Sequence, residues 1–203
     1  MKKALFIIFL VLIIDQVSKI YIKTHFKLNE YILIFGQDWA RIHFTENNGA
    51  AWGVQLNKFF TFLSEEQAKI ILTVFRLFAI TGIGYWLFSS IKNNAKSIFI
   101  VAVSLIFAGA LGNIIDSLLY GIIFNQSTYN HVAILFPKKG YSSLFHGKVV
   151  DMLYFPMWEG DLPTWLGGGR FTFFNAIFNI ADSAITIGVA LLLLFNKKIF
   201  AKR

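Results

Sequence analysis

Four apolar runs alternate along the chain with stretches in which polar, aromatic and β-branched residues mix. The runs extend from about Ala4 to Thr24, Ala68 to Ile91, Ser97 to Leu119 and Phe174 to Phe195. About 20 helical residues cross the roughly 30 Å of hydrocarbon in a bilayer, so each run predicts a transmembrane helix. The expected fold is an all-α membrane bundle of four transmembrane helices, forming a single integral membrane domain over residues 1–203. The stretches between the runs predict something different. In residues 25–67, Tyr31 to Phe35 and Ala40 to Thr45 are rich in aromatic and β-branched residues and predict a small β-rich element resting on the membrane surface. Asn47-Asn48-Gly49 is a turn signal. Two readings of it are open: a hairpin turn, or small residues at Gly49, Ala50 and Ala51 that let an extended substrate lie against the backbone. Residues 120–173 carry Tyr120, Tyr129, Tyr141, Tyr154, Trp158 and Trp165, with Gly167-Gly168-Gly169 near the end. This stretch reads either as an interfacial lid hinged at the glycines or as an ordinary surface loop.

Composition agrees with the pattern: 56% hydrophobic and 15% charged residues over 203 positions is too apolar for a soluble domain. The net charge of +8 does not point to nucleic acid, because the lysines flank the apolar runs instead of forming a stripe interleaved with aromatics. They orient the chain. Lys2 and Lys3 precede the first run, Lys92 and Lys96 join the second to the third, and Lys197, Lys198, Lys202 and Arg203 follow the fourth. By the positive-inside rule both termini and the short middle loop face the cytoplasm, and the first and third loops face outward. A cleaved signal peptide is the rival for the first run, but no small-x-small site follows it, and Asp15 and Lys19 interrupt it. Cysteine is absent, which excludes disulfides, thiolate metal sites and a cysteine nucleophile.

Polar groups inside the runs carry the chemistry, because they are costly in lipid. Asp15 and Lys19, four apart, share a helix face and can pair, either to fix packing or to position substrate. Asn113 with Asp116, and Asn179 with Asp182, are each three apart and share a face. Asp151, between them in sequence, enters from the loop. A lone asparagine in a span is ordinary packing glue. Two Asn-x-x-Asp pairs at the same end of consecutive spans, joined by a third acid, point instead to a reaction site. Arg76, inside the second run, either snorkels or meets an anion, with Asp116 the nearest candidate by depth.

Paired carboxylates in a poorly hydrated site cannot both ionise cheaply, so one keeps a proton while the other stays charged. The charged member can take a proton from water as its partner donates to a carbonyl oxygen, which hydrolyses a peptide bond without a metal, a cofactor or a covalent intermediate. Rival designs lack their parts. His25, His43, His131 and His146 all fall outside the predicted spans, in the loops, without metal-ligand spacing, and no Walker-type sequence is present. The rival from another class is a small proton-coupled membrane transporter, in which the same acids and asparagines line an ion path. Acids gathered at one interface fit a hydrolase better.

Five stretches, in order, resemble the bacterial lipoprotein signal peptidases (signal peptidase II, aspartyl protease family A8). They are Asp15-Gln16-Val17-Ser18-Lys19, Glu46 to Gly53, Gly112-Asn113-Ile114-Ile115-Asp116, Val149-Val150-Asp151 and Phe178-Asn179-Ile180-Ala181-Asp182-Ser183. The resemblance implies an aspartic endopeptidase of the bacterial inner membrane, active near the outer face. It would cleave diacylglyceryl-modified prolipoproteins on the amino side of the lipidated cysteine. It implies Asp151 and Asp182 as catalytic residues, with Asp15, Lys19, Asn47, Gly49, Gly112, Asn113, Asp116, Asn179 and Ala181 binding substrate or supporting them. No cofactor, metal or nucleic acid is implied. The partners are the substrate and membrane lipid, inhibition by globomycin-type cyclic peptides is expected, and the protein is expected to be a monomer. Two departures stand out. Ser117 occupies a position that is usually arginine in the family, and the expectation is that Arg76 supplies the missing cation to Asp116. A segment from about Phe124 to His146 is inserted ahead of Asp151, which loop-closure entropy permits at small cost. The bond to be cut is expected at the depth of Asp182, taken as about two turns into the fourth span.

Overall fold

The computed structural model describes residues 1–48 and 64–197. Three of its helices are long and apolar enough to cross a membrane: α1 (Lys2–His25), α2 (Glu65–Lys92) and α3 (Ser97–Ile123). Many of their large apolar side chains, Phe6, Phe9, Phe75 and Phe78 among them, are exposed, an arrangement suited to a helix whose outer surface meets lipid. α2 begins at a capping box, in which Ser64 accepts a hydrogen bond from the Gln67 amide and the Gln67 side chain returns one to the Ser64 amide.

The fourth helix is shorter than the apolar run predicts. α4 spans Ile180–Leu194, 15 residues, about 22 Å at 1.5 Å per residue. The residues from Phe174 to Asn179 are not helical. Phe174 takes a positive φ of 63°, Ile177–Phe178 form a strand, and Asn179 caps the helix from an extended conformation. The reason is that asparagine competes for backbone hydrogen bonds and favours a cap over a helix interior. Asp182 therefore lies in the first turn of α4, not two turns inside it.

A small antiparallel β element stands beside the helices, as expected, but it draws on both long loops and not on the first alone. β1 (Tyr31–Ile34), β2 (Gln37–Asn47), β3 (Val149–Tyr154) and β6 (Ile177–Phe178) form an antiparallel sheet in the order β1-β2-β3-β6. Pairing of Thr45 with Asp151, Glu46 with Val150 and Asn47 with Val149 joins the first loop to the segment that carries the third acid. Strand residues alternate between faces. Phe44, Val150 and Met152 enter a core with Ile22, Phe26, Tyr120 and Phe124, while Asp151 projects from the other side. β4 (Trp158–Asp161) and β5 (Arg170–Phe173) form a separate two-stranded sheet. The run of three glycines lies in its turn after a short 3-10 helix, Thr164–Leu166, with Gly167 at φ 102° and Gly168 at φ 56°. These conformations suit glycine, and the Leu162 amide donates to the Gly169 carbonyl at 2.8 Å across the turn. The expected lid hinge is a closed hairpin turn.

Candidate active site

Three helices approach closely where α4 begins, against the part of α3 around Gly112. A Cβ on Gly112 would lie 2.6 Å from Asp15 Oδ2 and 3.2 Å from the Cβ of Ala181, so only glycine lets α1, α3 and α4 meet here. Within this contact Lys19, fully buried, lies 2.9 Å from Asp15 Oδ2 and 2.8 Å from Asp116 Oδ2, and donates to Asn113 Oδ1 at 3.0 Å. A buried lysine is tolerated only when paired, and here each of its partners is fixed in turn. Asp15 Oδ1 accepts from the Ala181 amide at 2.9 Å, which satisfies an otherwise orphaned donor in the first turn of α4. Asp116 Oδ2 accepts from the Val150 amide at 3.3 Å and so holds β3. Gln16 Nε2 donates to Asp15, Asp116 and the Gly112 carbonyl, and its Oε1 accepts from the Tyr120 hydroxyl at 3.2 Å.

Above this platform stand Asp151 and Asp182. Asn179 touches both: its Nδ2 donates to Asp151 Oδ1 at 2.7 Å, and its backbone amide donates to Asp182 Oδ2 at 3.3 Å. Its Oδ1 accepts from the Asp182 amide at 2.9 Å, completing the capping box. Asn113 Nδ2 donates to Asp182 Oδ1 at 2.8 Å, and Asn47 Nδ2 donates to Asp151 Oδ2 at 3.3 Å. Every carboxylate oxygen of the two acids thus accepts at least one N–H. Asp151 is 3% exposed. Burial, and then the charge of Asp182, pushes its carboxyl up to about 7, against the pull of the hydrogen bonds from Asn47 and Asn179. A group that exchanges a proton near neutral pH and faces a second carboxylate can act in acid–base chemistry.

The residues expected from sequence therefore converge, with two changes. Gly49 lies outside the described residues, as do Ala50 and Ala51, with the substrate-strand reading placed on them. The cation at Asp116 is Lys19, not Arg76; the carboxylates whose field reaches Arg76 are those of Asp182 and Asp151. Ser117 donates to the Asn113 carbonyl at 3.0 Å, one turn back on its own helix. Gln16 and Tyr120 were not expected. Both carry a sequence signal: Gln16 is a further polar residue inside a span, and Tyr120 lies one turn after Asp116 on the same face.

Apolar helices joined to an antiparallel sheet, with a buried carboxylate and a partly buried one at the junction, define a membrane-embedded enzyme. Solved structures agree. A bacterial membrane enzyme determined by the in meso method at 2.3 Å resolution aligns with a TM-score of 0.61 at 28% identity, covering 100% of this chain and 93% of the other. The profile of the family described as Signal peptidase (SPase) II matches residues 7–197, and the chain belongs to that family. Among curated relatives, the lipoprotein signal peptidase of Porphyromonas gingivalis is 43% identical over 192 residues, 92% of this chain and 79% of that protein. Those of Amoebophilus asiaticus (34% over 190 residues, 91% and 73%) and Staphylococcus carnosus (32% over 192 residues, 94% and 87%) extend the likeness. The chain is thus a bacterial membrane protease of lipoprotein signal-peptide processing, and the transporter reading has no support.

Proposed function

We propose that the chain is an aspartic endopeptidase that cleaves diacylglyceryl-modified prolipoproteins on the amino side of the lipidated cysteine, with Asp151 and Asp182 as the catalytic pair. The observation that carries this reading is the hydrogen bonding of Asn179 to both carboxylates at a buried junction. Asp151, raised toward neutrality, holds the shared proton and gives it to the scissile carbonyl oxygen. Asp182 takes a proton from the attacking water and passes it to the leaving amine as the C–N bond breaks, while Asp151 recovers its proton from the hydroxyl of the tetrahedral species. Asn47, Asn113 and Asn179 orient the acids. Asp15, Lys19 and Asp116, with Gly112 and Ala181, hold the three elements together beneath them. Gly49 and the residues after it receive the substrate backbone.

The domain is a single membrane unit with α4 as the fourth span, both termini cytoplasmic and the dyad near the outer face. It acts as a monomer without metal or cofactor, and globomycin-type peptides occupy the same site. Purified protein is expected to cleave a diacylglyceryl-modified prolipoprotein peptide, and Asp151→Asn and Asp182→Asn are each expected to lose on the order of 10³-fold or more in kcat. Full turnover by either variant overturns the reading. The pair titrates as a unit. The rate is expected to fall on the alkaline side near pH 7, as the last shared proton leaves Asp151.

A further inference from the structure

On the opposite face of β2 from Asn47 lies a second buried charge cluster that the cleavage reaction does not use. Lys23, fully buried near the end of α1, forms an ion pair and hydrogen bond with Glu46 and donates to the Ser127 hydroxyl at 2.9 Å. Its ammonium lies 5.9 Å from the ring centroid of Phe44, 5.3 Å from that of Phe124 and 5.1 Å from that of Tyr141, an aromatic box that favours a cation. The other oxygen of Glu46 is 3.2 Å from Lys148 Nζ. The Lys148 amide donates to the Tyr141 hydroxyl at 2.6 Å. Burial alone would push the Glu46 carboxyl up, but Lys23 and then Lys148 hold it below its ordinary value, so it stays charged.

Ser127, Phe124 and Tyr141 belong to the inserted segment, which is otherwise held to α3 by backbone bonds such as those from the Phe136 amide to the Ile123 carbonyl and from the Ser142 amide to the Gly121 carbonyl, each 2.8 Å. A buried ion pair is a weak source of net stability compared with apolar residues of the same volume. What this one does possess is direction: Glu46 is joined to α1, to the insertion and to Lys148 just ahead of β3, and it immediately precedes Asn47.

We propose that Glu46, clamped by Lys23 and Lys148 and roofed by the inserted segment, is a positioning residue that holds the end of β2 so that Asn47 keeps its hydrogen bond to Asp151. The proposal rests on the assignment of Asp151 and Asp182 as the catalytic pair. The groups that bear on Asp151 are Asp182 from α4, which disfavours its charge, and Lys19 from α1 and Arg76 from α2, which favour it, together with the donors Asn47 and Asn179. None of these is Glu46. Loosening Asn47 removes a donor that favours the ionised form, so the dyad keeps its last proton to higher pH.

The test replaces the pair together, Lys23→Met with Glu46→Met, which leaves the net charge unchanged and the volume similar. Glu46→Gln is made alongside it, and Asp182→Asn in the same preparation. The purified full chains are assayed on a diacylglyceryl-modified prolipoprotein peptide across pH, and their melting is followed in detergent. The double variant is expected to fold, to lose about 10- to 100-fold in kcat with little change in KM, and to move the alkaline limb upward by about 0.5 to 1 pH unit. Glu46→Gln is expected to do the same with a lower melting temperature. A double variant with wild-type kcat and an unmoved limb overturns the proposal, as does failure of both variants to fold, which would make the cluster a folding element only. Turnover by Asp182→Asn instead removes the dyad itself, an outcome separate from either.

Discussion

Asp151 is held where its charge is expensive. The acid of an unfolded chain loses its proton near pH 4, whereas in the fold burial and Asp182 keep the proton on until about 7. The folded state therefore binds more protons between these values, and the stability that the protonated form confers is lost as pH rises through the folded value. An amide at this position cannot ionise. The melting temperature of Asp151→Asn relative to the wild type is expected to rise between pH 4 and pH 8, by the equivalent of roughly 2–4 kcal/mol. A gap that does not change with pH would refute this account of the burial. Lys19 belongs to the same scale. Removing it leaves Asp15 and Asp116 buried without their common cation, and Lys19→Met is expected to lower stability by about 3–5 kcal/mol in denaturant titration.

At the scale of elements, the site depends on where α4 starts and how closely it meets α3. Asn179 ends an extended segment, starts a helix and touches both acids, so Asn179→Ala removes the side-chain cap and the donor to Asp151 together, while the backbone amide still reaches Asp182. Its expected cost is about 1–3 kcal/mol of stability, with a loss of activity far larger than the stability change would cause. A partner replacement that keeps the cap, Asn179→Ser, is expected to recover the melting temperature and not the rate. Close approach is equally strict. The methyl of Gly112→Ala would meet Asp15 Oδ2, so α1 must move from α3. Overpacking of this kind costs about 1–3 kcal/mol and is expected to lower activity through the displaced Asp15, measured against the thermal shift of the same variant. A similar restriction applies lower in the bundle, where a Cβ on Gly188 of α4 would lie 2.6 Å from the Ala102 carbonyl of α3.

For the whole molecule, orientation is the open quantity that chemistry can read directly. The sequence contains no cysteine, so one introduced thiol reports its own side of the membrane. Asn94→Cys, between α2 and α3, is expected to react with an impermeant maleimide only after the cells are opened. Asn130→Cys, in the loop that follows α3, is expected to react in intact spheroplasts. Reversed labelling would reverse the proposed topology.

The apolar runs and the polar residues set within them were legible because each is written locally. Lipid demands about 20 apolar residues in a row, lysines mark the ends of the runs, and Asp15, Asn113, Asp116, Asn179 and Asp182 stand out as polar groups inside apolar surroundings. Helical spacing was enough to put Asp15 with Lys19, and Asn179 with Asp182. Tertiary structure alone decided the rest: that β2 pairs with a strand about a hundred residues away and brings Asn47 to Asp151, that Lys19 and not Arg76 neutralises Asp116, and that α4 begins at Asn179. These depend on which side chains meet once helices and strands pack, and periodicity along one segment carries no record of a contact made by another.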